Sequence, residues 1–207
     1  MSVYVLATLD TKGQEAEYIC RRLKSFDIET CLVDTGCVGS PTVQADISRE
    51  AFFAAGDSSL PELQQQADRG KAITAAATAA ANLLQQEHAA SKVDGVLGIG
   101  GSAGSTIATS AMRALPLGVP KLMVSTLASG QVRQYVGDKD ILMLNSVVDI
   151  LGVNRISRLI FDEAARAMAG MVTLGHDEST EADRPLVAAT MFGVTTPCVQ
   201  HASKILE

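Results

Sequence analysis

A glycine-rich segment between a predicted strand and a predicted helix carries the clearest chemical signal in this sequence. Residues 93–99 are strand-like, and Gly100-Gly101-Ser102-Ala103-Gly104-Ser105-Thr106 follows them directly. Apolar residues then recur at helical spacing from Ile107 to Leu115. Glycines let backbone amides approach a ligand closely, and the first turn of a helix presents free N–H groups and the positive end of its dipole. The segment is therefore predicted to bind an anion, above all a phosphate.

Two standard nucleotide motifs do not fit this segment. The dinucleotide fingerprint G-x-G-x-x-G needs glycines at fixed offsets, and Gly98, Gly100 and Gly104 do not have that spacing. The P-loop motif needs a lysine after its last glycine, where this chain has Ser105. A less specific phosphate-binding turn remains, and its candidate ligand contacts are Gly98, Gly100, Gly101, Ser102, Gly104, Ser105 and Thr106.

The same residues fit a third motif, G-x-S-x-G, which holds the nucleophilic serine of a hydrolase on a tight strand-to-helix turn. Ser102 would be that nucleophile, and Asp149 with His176 would complete a triad in the chain order serine, acid, histidine. Alternatively, Ser102 and Ser105 only hydrogen-bond a bound anion, or the turn is purely structural. The residues by themselves leave these interpretations open.

The elements that must position this turn alternate between strands and helices. Strands are predicted at residues 3–9, 28–33, 93–99, 121–126 and 141–144. Helices are predicted at residues 13–24 and 71–87, after the glycine turn, and after a capping Asn154. This alternation predicts an α/β fold, a Rossmann-like parallel sheet flanked by helices.

In such a sheet, ligands bind beyond the carboxyl ends of the strands, and small polar residues of this chain follow the predicted strands. Residues 8–13, 34–36, 125–130 and 145–146 should converge with the glycine turn, although each cluster alone is typical of ordinary turns. Lys12 could neutralise a phosphate, whereas a carboxylate suits ribose hydroxyls or a magnesium-bound water. The candidate contacts in these loops are Thr8, Asp10, Thr11, Lys12, Gly13, Asp34, Gly36, Ser125, Ser129 and Gly130.

Composition excludes several classes of function. The formal net charge of −6 provides no basic surface for nucleic acid, which is bound largely through phosphate neutralisation. No apolar run approaches the roughly 20 residues of a membrane span, and the chain starts with a strand-like segment instead of a signal peptide, so a cytoplasmic protein is expected. The 4 cysteines form no C-x-x-C pair and are expected to be buried free thiols.

The C-terminal region has the pattern of a second unit. An acidic, polar stretch at residues 173–185 is predicted to be a linker between a nucleotide-binding α/β domain at residues 1–172 and a new βα unit at residues 186–207. Residues 186–191 resemble residues 4–9 in sequence, and a helix is expected at residues 198–206. A lone βα unit cannot bury its apolar surface, so we expect the first part of a truncated second α/β domain.

Several separate motifs, in the same order along the chain, resemble the family named for the tomato mosaic virus resistance protein. They are Ala7-Thr8-Leu9-Asp10-Thr11-Lys12-Gly13, Asp34-Thr35-Gly36, Gly98-Ile99-Gly100-Gly101-Ser102-Ala103-Gly104-Ser105, Ser146-Val147-Val148-Asp149-Ile150 and Thr195-Thr196-Pro197. The resemblance spans nearly the whole chain. It implies an N-terminal domain that binds ATP, alone or with Mg²⁺, a homodimer, and a second α/β domain in the longer members.

The sequence therefore predicts a nucleotide-binding module, for ATP, within a larger protein whose reaction and protein partner it does not identify. The rival interpretations are a serine hydrolase that uses Ser102 and a protein-interaction domain without a ligand.

Overall fold

The structure is a computed structural model that describes residues 2–174 and 187–206. The chain divides into two compact units between residues 175 and 176. In the first unit the strands are β1 (Ser2–Ala7), β2 (Thr30–Asp34), β3 (Val93–Gly100), β4 (Lys121–Ser125) and β5 (Leu142–Asn145). Its helices are α1 (Leu9–Lys24), α2 (Arg49–Ala54), α3 (Leu60–Gln66), α4 (Arg69–Ala89), α5 (Ser102–Ala114), α6 (Arg133–Val136) and α7 (Arg155–Thr173).

The five strands form one parallel sheet in the order β2-β1-β3-β4-β5. Alternate side chains of β1 enter two separate cores, with Val3 and Val5 on one face and Tyr4 and Leu6 on the other. Helices α1 and α7 pack on the first face, whereas α2, α4 and α5 pack on the second. The predicted Rossmann-like α/β fold is confirmed.

Helix α1 begins four residues earlier than predicted. The sequence pattern places the helix start at Gly13, but the helical turn already begins at Leu9, directly after β1. The backbone at Lys12 departs from helical geometry, with φ −128° and ψ 18°, so two helical stretches join there. As a result, the loop that was expected after β1 is a helix start, which brings helical N–H groups to the end of the strand.

Short helices α2 and α3 occupy a region whose glycine, proline and serine content predicts a loop. Each has 6 or 7 residues, which is too short for a helical period to emerge from the sequence. Phe52 and Phe53 of α2 are fully buried and pack edge to face, with ring centroids 5.2 Å apart. Tertiary packing of these rings, more than local propensity, therefore explains α2.

The second unit differs from the predicted βα unit in one element. Its helix α8 (Thr196–Leu206) agrees with the helix expected at residues 198–206. The strand predicted at residues 186–191 is wrong for the described part, because residues 187–191 are not in a strand, and Leu186 lies outside the described residues. An apolar run becomes a strand only where a neighbouring strand supplies its backbone hydrogen bonds, which the sequence repeat could not reveal.

Candidate functional site

A cavity of about 850 Å³ lies at the carboxyl ends of β1 and β3. The strand order reverses direction between these two strands, and parallel sheets bind ligands in the crevice at such a switch point. The structure brings together three of the predicted clusters here. The cavity is lined by Thr8, Asp10, Thr11 and Lys12 after β1, by Thr35 after β2, and by Gly100, Gly101, Ala103 and Gly104 at the end of β3 and in the turn that follows.

Gly100 and Gly104 are glycines because the turn itself requires them. Gly100 has φ +155°, and a Cβ placed there would lie 2.9 Å from the Cα of Gly104. A Cβ at Gly104 would in turn lie 2.9 Å from the carbonyl oxygen of Ile99. Both distances are shorter than real Cβ contacts, so any larger side chain would force the turn open.

Gly101 has no such structural requirement. Its backbone is extended, with φ −84° and ψ −150°, and the nearest atom to a Cβ placed there would be the Oγ1 of Thr126 at an ordinary 3.5 Å. Gly101 itself lines the cavity. The packing of the turn therefore does not require glycine at 101, whereas close approach of a ligand to the backbone there would.

The N-terminus of α5 opens toward this cavity without a side-chain cap. Gly101 is the N-cap residue and has no side chain that could accept a hydrogen bond from the first helical turn. The amide of Ser105 is satisfied by the carbonyl of Gly101 at 2.8 Å, but the amides of the three residues between them have no helical carbonyl to bind. The first turn of α5 can thus donate hydrogen bonds to an anion and stabilise it through the helix dipole.

Ser105 and Ser125 lie beneath the turn and do not line the cavity. Both are fully buried, and their Oγ atoms are 2.7 Å apart. The Oγ of Ser125 also accepts a hydrogen bond from the amide of Leu127 at 3.0 Å. This contact ties α5 to the end of β4 and so supports the position of the turn.

Lys12 is the cation among the cavity-lining residues after β1. Its side chain lines the cavity, and its Nζ donates a hydrogen bond to the carbonyl of Ile150. Asp10 lines the same wall, and its Oδ2 accepts a hydrogen bond from the amide of Gly39 at 3.1 Å. Lys12 supplies positive charge where the α5 amides supply donors, which is the combination that binds phosphate.

Asp34 is committed to the protein and not directed at a ligand. It is 1% exposed, and its Oδ2 lies 2.8 Å from the Nε of Arg49. Its Oδ1 accepts hydrogen bonds from the amides of Leu9 and Gly36, at 3.1 and 2.9 Å. Because both oxygens are engaged, Asp34 fixes the loops after β1 and β2. Of the two carboxylates that the sequence proposed as ligand contacts, Asp10 is the one that lines the cavity.

The remaining sequence-predicted residues lie outside the cavity lining. Gly13 and Gly98 pack closely, since a Cβ on them would lie 2.2 Å from the Oγ1 of Thr42 and 2.4 Å from the Cβ of Ala108. Gly36 is buried between Arg49 and two carboxylates. Exposed positions outside the lining are Ser102, Ser129 and Gly130, and Thr106 is half-buried with its hydroxyl donating to the carbonyl of Ser102.

The opposite wall of the cavity comes from residues that the sequence patterns did not single out. Helices α3 and α4 contribute an apolar surface and a second cation, Arg69. The residues in question are Leu63, Ala67, Ala72, Ile73 and Ala76, with Val38 and Cys37 beside them. The available signal was the alanine-rich stripe of the helix predicted at residues 71–87, whose spacing indicates only packing against the sheet.

Cys37 lines the cavity but is a poor nucleophile. Burial raises the pKa of its thiol, and the nearby Arg49 offsets this only in part. Burial likewise raises the pKa of Cys20 to about 11 and that of Cys31 to about 12. All 4 cysteines are free thiols, but the prediction that they are buried is right only for Cys20, because Cys31 and Cys37 are half-buried and Cys198 is exposed. The described residues contain no group of three or more histidine, cysteine or acidic side chains placed to hold a metal.

The proposed hydrolase triad is not assembled in the described part of the chain. Asp149 lines the cavity and is exposed, but Ser102 is outside the lining. His176, the proposed base, lies outside the described residues. Within those residues, Ser102 has no hydrogen bond to a histidine that could activate it.

Comparison with known proteins relates the chain to a family without an assigned reaction. The profile of the N-terminal domain of UPF0261, an uncharacterised protein family, matches residues 1–177. A UPF0261 protein of Clostridium tetani is 42% identical over 205 residues, which cover 99% of this chain and 50% of that protein. A UPF0261 protein of Rhizobium meliloti is 45% identical over 197 residues, covering 95% of this chain and 48% of that protein. The chain thus spans about half the length of these curated relatives.

Plant proteins are also similar to the chain. The tomato protein named ToMV susceptible protein tm-1(GCR26), from Solanum lycopersicum, is 34% identical over 226 residues, covering 99% of this chain and 30% of the tomato protein. The resemblance inferred from the sequence motifs is therefore confirmed at the level of the family. Among the described residues, no helix is both long and apolar enough to cross a membrane.

Proposed function

This chain belongs to the UPF0261 family, through the family's N-terminal domain, and we propose that the domain binds a nucleotide, ATP in the first instance, at the carboxyl ends of β1 and β3. One observation carries the proposal. The uncapped N-terminus of α5 and the ammonium group of Lys12 border the same cavity.

The shape of the cavity supports a nucleotide more than a free phosphate. Its volume of about 850 Å³ is within the range of small-molecule sites, and far larger than one phosphate needs. The polar end lies at the glycine turn and Lys12, whereas Ile73, Ala76 and Leu63 make the other wall apolar. A purine base is flat and apolar on its faces, so a base on the apolar wall and phosphates at the α5 N-terminus would use both ends.

A magnesium ion bound with the nucleotide would have a carboxylate ligand in this cavity. Mg²⁺ in nucleotide sites is held by one or two carboxylates together with the phosphates and water. Asp10 in the cavity lining would hold it, and the exposed Asp149 is a second carboxylate in the same lining, whereas Asp34 is engaged by Arg49. The ion would neutralise phosphate charge, while Lys12 and the α5 amides position the phosphates.

Isothermal titration calorimetry with ATP, pyrophosphate and adenosine, each with magnesium, tests the proposal. We expect ATP to bind, pyrophosphate to bind more weakly, and adenosine to bind least, because adenosine lacks the charge that the α5 N-terminus recognises. Lys12→Met should weaken ATP binding about tenfold or more, since it removes a charged hydrogen-bond donor. Lys24→Met, at the other end of α1, is the matched control and should bind ATP as the wild type does.

Two outcomes would contradict the proposal in different ways. If the folded chain shows no heat of binding and no change in melting temperature with millimolar ATP, the result favours a protein-interaction domain without a ligand. If a serine-directed organophosphonate labels Ser102 stoichiometrically, the hydrolase interpretation gains instead, because a phosphate-binding turn has no activated serine.

A further inference from the structure

The segment Ser146–Gly152, which follows β5 and leads to α7, contains a strained turn beside the cavity. Val147 has φ +65°, which is unfavourable for a β-branched residue. The amide of Val148 donates to the carbonyl of Ser146 at 2.7 Å, so Val147 is the centre of a three-residue turn of the rarer, strained form. Such backbone persists only where surrounding contacts hold it.

Two side chains of α1 provide such contacts. The Nζ of Lys12 donates to the carbonyl of Ile150, and the Oε1 of Glu15 accepts a hydrogen bond from the amide of Gly152 at 2.6 Å. Glu15 is only 2% exposed, which makes its hydrogen bond to this segment costly to lose. Lys12 and Glu15 are three residues apart on α1 and hold consecutive parts of the same segment.

Lys12 is the member of this pair that also faces the cavity. An ammonium group has three N–H donors, and the carbonyl of Ile150 uses one of them. The other two donors can bind a second partner, and an anion at the α5 N-terminus would be that partner. Lys12 would then contact the bound ligand and the segment at the same time.

We propose that Lys12 couples occupancy of the cavity to the conformation of Ser146–Gly152. This inference rests on the proposed function, because it requires an anionic ligand. When the cavity is empty, the hydrogen bonds from Lys12 and Glu15 hold the segment against the strain at Val147, and local opening must break them. When the cavity is filled, the ligand fixes the ammonium group, and the segment that carries Asp149 is held against the cavity wall. By linkage, the factor by which the ligand favours the closed segment equals the factor by which closure of the segment strengthens ligand binding.

Amide hydrogen exchange followed by NMR measures this opening directly. The reporting amides are those of Leu151 and Gly152, which bond the carbonyl of Asp149 and the carboxylate of Glu15. With saturating ATP and magnesium, we expect exchange at these two amides to slow about tenfold in the wild-type chain, the factor that one charged hydrogen bond provides. Calorimetry on the same samples reports whether ATP is bound.

The variants separate the coupling from general stability. In Lys12→Met without ligand, the amide hydrogens of Leu151 and Gly152 should exchange faster than in the wild type. Addition of ATP should no longer slow their exchange. Lys24→Met is the control on the same helix and should behave as the wild type. The wild-type comparison with and without ATP needs no variant, so the test stands even if Lys12→Met folds poorly.

The outcomes are distinct. If calorimetry shows bound ATP but exchange at the two amides is unchanged or faster, the coupling is refuted while the proposed function survives. If calorimetry shows no binding of ATP, the proposed function fails, and the coupling that rests on it fails with it. Slower exchange with ATP in the wild type and in Lys24→Met, but not in Lys12→Met, supports the coupling.

Discussion

Replacing Gly101 with valine should remove nucleotide binding while leaving the fold intact. The backbone at this position is extended, with φ −84° and ψ −150°, and the nearest atom to a Cβ would be the Oγ1 of Thr126 at 3.5 Å. Valine reduces the freedom of the unfolded chain, which favours folding by about 0.4–1 kcal/mol, but it is a poorer N-cap residue than glycine. These effects oppose each other, so we expect the free energy of unfolding to change by less than about 1 kcal/mol.

The effect on binding is expected to be much larger, because the branched side chain would stand where phosphates approach the α5 amides. A ligand at 100 times its dissociation constant stabilises a protein by about 2.7 kcal/mol. For a domain of this size, that raises the melting temperature by about 5 to 10 °C. Differential scanning fluorimetry with ATP and magnesium should show this rise for the wild type and none for Gly101→Val.

Gly104→Ala is the contrasting control. Its Cβ would lie 2.9 Å from the carbonyl oxygen of Ile99, a backbone atom that cannot move aside freely. We therefore expect it to lose about 1–3 kcal/mol of stability in the absence of any ligand. If Gly101→Val keeps the full ATP-induced rise, the phosphates do not bind at this turn, and the site must be sought elsewhere. If Gly101→Val unfolds the protein without ligand, glycine at 101 serves the fold, contrary to our reasoning.

Two further predictions concern stability. Gly98→Ala should destabilise the protein by about 1–3 kcal/mol in urea unfolding, because its Cβ would lie 2.4 Å from the Cβ of Ala108; an unchanged midpoint would show that α5 can shift away from β3. Tyr4→Phe should cost about 1–2 kcal/mol near neutral pH, because the hydroxyl of Tyr4 donates to Glu87 at 2.6 Å and lowers the pKa of that carboxyl below 4.5. A carboxyl whose pKa is lower in the folded than in the unfolded protein stabilises the fold at pH values above its unfolded pKa. This stabilisation is lost as the pH falls through the folded pKa, so the difference in free energy of unfolding between wild type and Tyr4→Phe should shrink below about pH 4. A difference that stays constant down to about pH 3 would contradict this coupling.

The fold class and the glycine turn could be predicted because they depend on local patterns. Buried parallel strands leave continuous apolar runs such as residues 93–99, and the helices between them leave a 3.6-residue period. The carboxyl ends of parallel strands meet at one edge, which is why the loops after β1 and β3 were expected to lie together and do so.

The roles of individual polar and glycine residues could not be predicted in the same way. Asp34 was a ligand candidate by its position after β2, but the partner that engages it, Arg49, is 15 residues further along the chain. In the sequence, Gly13, Gly98 and Gly101 all lie close to the end of a predicted strand. Only their neighbours in the folded chain show that Gly13 and Gly98 are needed for close packing, whereas Gly101 is not.

The sequence by itself determined the alternation of the five sheet strands with helices α1, α4, α5 and α7, the glycine turn at Gly100–Gly104, and the family. Only the tertiary structure decided which side chains reach the cavity, the apolar wall from α3 and α4, and the contact between Lys12 and the segment that holds Asp149. The physical reason is the range of the interactions. Periodicity and turn chemistry act between residues that are close in sequence, whereas the contact from Lys12 to Ile150 joins residues 138 positions apart, and no local pattern records it.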